Sequence, residues 1–147
     1  MTNTIKPLLG QIIYDIKRNK PEDPDELRFY LCNSTCVTMH HMQECCEDVV
    51  IDDINGDLSN LIGHPILRAD EKISEEVDTP SEENYYSDES NTWTFYTLAT
   101  SAGYVDIKWH GSSNGYYSES VDFSTEDCPV PTDVLAKYKS IYPEAFL

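Results

Sequence analysis

The stretch NTWTFYTLATSAGYVDIKWHGSSNGYYSESVDF, residues 91–123, decides the fold class. In its first part Trp93, Phe95, Thr97 and Ala99 alternate with Thr94, Tyr96 and Leu98, and these are the aromatic and β-branched types that suit a pleated surface. After TSAG comes a second alternating run, with Val105, Ile107 and Trp109 on one face and Asp106, Lys108 and His110 on the other. Asn114-Gly115 is the pair that most readily takes the two positive φ angles of a type I′ turn, and Tyr117, Val121 and Phe123 alternate beyond it. Residues 92–123 therefore read as a three-stranded antiparallel meander, with Trp93 directed at the core.

The flanks extend this pattern. GQIIYDIK puts Ile12, Tyr14 and Ile16 on one face, and the following NKPEDPDE is a turn broken by Pro21 and Pro24. LRFYLC and CVTMHH read as two strands joined through Asn33-Ser34-Thr35. Asp57 is placed to cap a short helix over LSNLIG, and Ile66-Leu67 suggests another short strand. PTDVLAKYKSIYP predicts a C-terminal helix capped by Thr132, with Val134, Leu135, Tyr138 and Ile141 along one stripe until Tyr142-Pro143 ends it. Residues 70–90 hold nine acids, one Lys and one Pro. That composition buries too little apolar surface to offset its ordering entropy, so it reads as a flexible acidic loop. The expectation is an α+β chain, a single domain over residues 1–147. It is mainly one antiparallel β-sheet of six or seven strands, with one or two short helices including the C-terminal one.

A net charge of −17 argues against direct nucleic-acid binding, which runs on Lys and Arg neutralising phosphates. The excess is central: residues 1–20 carry +3, 21–60 carry −9, 61–90 carry −7 and 91–147 carry −4. Such a surface suits a basic partner, including the nucleic-acid groove of another protein. No apolar run approaches the roughly 18–20 residues that span a bilayer, and the start lacks the order of a secretory signal. A cytoplasmic setting with no membrane partner is expected. There the five cysteines, an odd number, stay reduced.

HHMQECCEDV, residues 40–49, is the segment that looks most chemical. As a strand it splits His41, Gln43, Cys45 and Glu47 from His40, Met42, Glu44 and Cys46; as a helix it makes His41 and Cys45 neighbours. A zinc site would recruit Cys32, Cys36, His41 and Cys45 or Cys46, but adjacent cysteines cannot both face one ion without strain. Cys32 and Cys36 fit equally well as small buried residues across a hairpin. A thiolate is disfavoured by Glu44, Glu47 and Asp48. Glu47, Asp52, Asp53 and Asp57 match no calcium loop, and the chain holds no phosphate-binding loop, G-x-S-x-G or H-E-x-x-H. No cofactor is expected.

HMQECCEDVVIDDINGDLSNLIGHPIL and WTFYTLATSAGYVDIKWHGSSNGYYSESVDF resemble a family of small uncharacterised proteins of tailed bacteriophages. Its pattern is H-x-Q-x-C-C-E, an acidic D-I-x-G-D-L, then W-T-F-Y and a G-x-S-N-G-Y-Y-S-E hairpin. The likeness covers about residues 27–69 and 92–123. It implies a phage origin and a small accessory domain, and brings no activity with it. Carried onto this chain, the motif falls on His41, Gln43, Cys45, Cys46 and Glu47; on Asp53, Gly56 and Asp57; on Trp93 and Tyr96; and on Gly111, Ser113, Asn114, Gly115, Tyr116, Tyr117 and Glu119. Of these, His41, Gln43, Glu47, Tyr116, Tyr117 and Glu119 make the candidate ligand or partner surface. The function expected is a non-enzymatic accessory protein in the cytoplasm of the infected host, binding and inhibiting or sequestering a host factor in counter-defence. Two alternatives stand beside it. One is a zinc- or thiol-dependent protein centred on His41, Cys45, Cys46 and Glu47; the other is a nucleotide-signal sponge, for which basic residues are scarce.

Overall fold

Period-two patterning, which places successive side chains on opposite faces, builds most of this chain. A computed structural model describes residues 4–19, 24–77 and 90–146. Its strands are β1 (Ile13–Arg18), β2 (Leu27–Leu31), β3 (Thr35–His40), β4 (Asp48–Asn55), β5 (Arg68–Val77), β6 (Ser90–Thr100), β7 (Gly103–Ser113) and β8 (Asp122–Asp127). One α-helix, α1 (Thr132–Ile141), follows them. The strands make two four-stranded sheets, ordered β1-β2-β3-β8 and β4-β7-β6-β5, with every neighbouring pair antiparallel. The mainly antiparallel architecture and the C-terminal helix match the sequence reading. The eight strands and the division into two sheets do not.

The sheets share one core. Phe29, Val37, Met39 and Phe123 from the first meet Tyr96, Leu98, Ile107 and Trp109 from the second, all essentially without exposure. Tyr96 packs edge-to-face on Phe123 at 5.5 Å, and the Trp109 indole N–H points at the Met39 sulfur at 3.0 Å. The faces of β7 are as expected, but Trp93 is not a core residue. Register puts Leu98 opposite Val105 and Tyr96 opposite Ile107, which leaves Trp93 across from His110 on the outer face. There it stacks on the imidazole at 4.1 Å beneath the Lys108 ammonium.

The expected third strand of the meander does not form. After Ser113 the chain crosses to the other sheet, where Phe123 of β8 pairs with Met39 of β3. The edge of β7 is taken instead by β4. Nor is the turn type I′: Gly115 has φ +91° but Asn114 does not reach positive φ, and its side chain accepts from the Tyr116 N–H at 3.0 Å. β4 is hidden in the sequence by its acids, which face out while Val49 and Ile51 face in.

β5 overturns the loop reading over residues 70–77, because full-length pairing with β6 organises a segment whose composition alone would not. Its charges lie on a sheet edge, where they discourage pairing with a further strand. The rest of the expected loop, residues 78–89, lies outside the described residues, as does Pro21 in the first turn. Ile66-Leu67 precedes β5 and forms no separate strand.

Asp57 caps a short 3-10 turn, Leu58–Leu61, by accepting from the Ser59 N–H at 2.9 Å. Thr132 is the first helical residue of α1 rather than its cap; Pro131 holds that position. The buried side of α1 is Val134, Tyr138 and the following Tyr142, against Ile12 and Cys32, while Ile141 is half exposed. No helix among the described residues is long and apolar enough to cross a membrane.

Candidate functional site

β3 stops at His40, and residues 41–47 form a loop that is neither strand nor helix. Its centre is the Glu47 carboxylate, 2 % exposed. One oxygen accepts from the Cys45 N–H at 2.8 Å and the Gln43 amide at 3.2 Å. The other accepts from the Glu44 N–H and His41 Nε2, both at 2.9 Å. Burial works against a charge here, but the Cys45 N–H, the His41 ring and the Glu44 N–H outweigh it and hold the carboxyl down at about 2. The second His41 nitrogen, Nδ1, faces the Ser120 carbonyl at 2.6 Å, so each ring nitrogen has an oxygen partner. Gln43 also donates to the Glu47 carbonyl at 2.6 Å. Gln43 and Glu47 thus spend their polar groups inside the loop, while His41 divides its two nitrogens between Glu47 and the Ser120 carbonyl.

The cysteines are scattered. Cys32 is buried beside Ile12 and Tyr138, and burial pushes its thiol up to about 11. Cys36 sits in the β2–β3–β8 ladder, and its thiol is raised chiefly by burial. Both lie at the opposite end of β3 from His41, so the alternative zinc set of Cys32, Cys36, His41 and Cys45 is not assembled. Among the described residues no cluster of three His, Cys, Asp or Glu is placed to hold a metal. Cys45 and Cys46 are joined to each other as a disulfide, which corrects the expectation of five reduced thiols and removes both from nucleophile chemistry. Thiol titration of the unfolded, unreduced protein should therefore find three free cysteines, Cys32, Cys36 and Cys128. A count of five would place the pair in the reduced state.

The loop braces a second element. His41 binds the Ser120 carbonyl, and the Met42 N–H donates to Asp122 at 2.9 Å, so residues 115–121 are pinned from one side. From the other they lie against β7 at Gly111, where a methyl group would meet the Glu119 Cβ at 2.7 Å and its carbonyl oxygen at 2.9 Å. That close approach explains the glycine, which sequence reasoning left without a reason. The segment forms one wall of a cleft of about 460 Å³ whose floor is the part of the β5–β6 inner face that carries Glu71, Thr94 and Tyr96. Glu119 is nearly buried in the wall and accepts from the Ser113 hydroxyl; Tyr117 is half-buried at its rim. Tyr116 is 83 % exposed and stands edge-to-face on Tyr117 at 5.0 Å.

The six candidate residues thus come together as neighbours with different tasks. The His41 loop supports, and the Tyr116 segment faces outward. Sequence reasoning missed Glu71 and the neighbouring Ile73 and Glu75, which also line the cleft, because they sat in the supposed loop and the one-face row Ala69, Glu71, Ile73, Glu75 mixes apolar residues with acids and gives no period-two signal.

No curated protein and no solved structure matches this chain. One family does, described as a domain of unknown function (DUF7448), over residues 6–123. The matched span includes the braced loop, the wall segment with Gly111 and Glu119, and strands β1 to β7 entire. With the greater part of its length in that match, the chain belongs to the DUF7448 family.

Proposed function

We propose that this is a non-enzymatic accessory protein of a tailed bacteriophage, working in the cytoplasm of the infected host. There it binds a host protein and inhibits or sequesters it in counter-defence. The observation that carries the binding reading is Tyr116, a large ring left 83 % exposed while propped on Tyr117, which itself lines an acidic cleft. Rigid aromatic groups with polar tips bind at low entropic cost and dominate many interfaces. The charge of −17 supports a partner with a basic surface. The bacteriophage setting rests on the resemblance of the H-x-Q-x-C-C-E and G-x-S-N-G-Y-Y-S-E segments. The test is capture from an infected host with the wild type and with Tyr116→Ala. A host protein held in stoichiometric amount by the wild type and at least about tenfold less by the variant supports the reading. Equal recovery by both, or no partner for either, overturns it.

A further inference from the structure

At the cleft the buried Glu119 Oε1 has no hydrogen-bond partner among the described residues, and the Tyr96 hydroxyl, which has none at full hydrogen-bond geometry, faces the Glu71 carboxylate. Tyr96 is 1 % exposed and Glu119 8 %. Native proteins pair such groups, so unpaired ones point to something that completes them. Among the described residues three carboxylates, Glu71, Glu75 and Glu119, line the cleft, and no Lys, Arg or His does. An anionic ligand is repelled there, and a neutral one leaves the charges uncompensated. A cation with several N–H donors answers both the charge and the unpaired acceptor, and charge-assisted hydrogen bonds of this kind are the strong ones. The cleft volume of about 460 Å³ is that of a small-ligand site.

We propose that the cleft between the β5–β6 inner face and residues 115–121 binds a guanidinium or primary ammonium group, with Glu119 Oε1 accepting from it and Glu71 supplying the second charge. This rests on the binding reading above, but its test needs no host protein.

The purified full chain is titrated calorimetrically with N-acetyl-arginine amide, with spermidine, and with the neutral isostere N-acetyl-citrulline amide. Saturable one-site binding of a cationic probe is expected, with citrulline amide at least about tenfold weaker. Glu71→Gln and Glu119→Gln should each weaken the cation about tenfold or more. Glu71 is exposed on an edge strand, so its variant keeps the test open if Glu119→Gln unfolds. Preference for the arginine probe assigns the site to a side chain of a partner protein, and preference for spermidine to a free polyamine. Absence of saturable binding, equal binding of the citrulline probe, or unchanged binding in a folded Glu71→Gln overturns the proposal. Host capture through Tyr116 together with no probe binding sinks the cleft alone and leaves the proposed function standing.

Discussion

Trp109→Ala should lower the unfolding free energy by about 3–5 kcal/mol, read as a shift of the urea midpoint with an unchanged slope. The side chain has no exposure, and it is the largest in a core supplied by both sheets. Its loss removes a large apolar burial and leaves a cavity where β7 meets β3, and the Met39 sulfur loses its N–H partner. Trp109→Phe keeps most of the volume and should cost clearly less. Trp93→Ala is the control, since that ring lies on the outer face over His110, and its effect should stay near the size of an ordinary surface change. If the two tryptophans proved equally costly, the assignment of inner and outer faces would be wrong.

Glu47→Gln should destabilise the protein at neutral pH and flatten its acid sensitivity. The folded carboxyl titrates at about 2, below its ordinary value of 4.5, because the Cys45 N–H, His41 and the Glu44 N–H outweigh the penalty of burial. Linkage fixes the sign: the stabilisation is complete above about 4.5 and drains away as the pH falls toward about 2. Glutamine is neutral throughout that window, and its NH₂ group must face a donor that the carboxylate accepted from, so the variant loses the stabilisation at every pH. Urea midpoints at pH 7, 4 and 3 measure this. Parallel pH slopes for wild type and variant would remove Glu47 as a source of the dependence.

The hairpins β2–β3 and β6–β7 were legible because their alternation is local and carried by Val, Ile, Phe and Tyr. Which face of β6 turned inward was not, since both faces hold aromatic side chains and only the register with Val105, Ile107 and Trp109 decides. β4 and β5 were hidden by Asp and Glu, whose composition argues for solvated loops while their pairing with β7 and β6 makes strands. The destination of the chain after Ser113 was equally illegible, because pairing across the two sheets leaves no local trace. At the site, the motif positions His41, Gln43, Glu47, Tyr116, Tyr117 and Glu119 could be listed from the sequence, but not how they are arranged. Their separation into a buried brace and an outward segment needed the contact of His41 with Ser120, residues far apart in sequence.

The interleaved strand order has a consequence for how the chain comes to be folded. The second sheet draws only on residues 48–113 and can close as soon as they are available, whereas the first needs β8, so Met39 must wait for Phe123. During synthesis, the backbone edge of β3 therefore stands open until residue 127 has emerged. Pairings between distant segments form slowly, and an unpaired apolar edge is where newly made chains go astray. In chain order, β8 is the last strand to be made and the one that closes the first sheet.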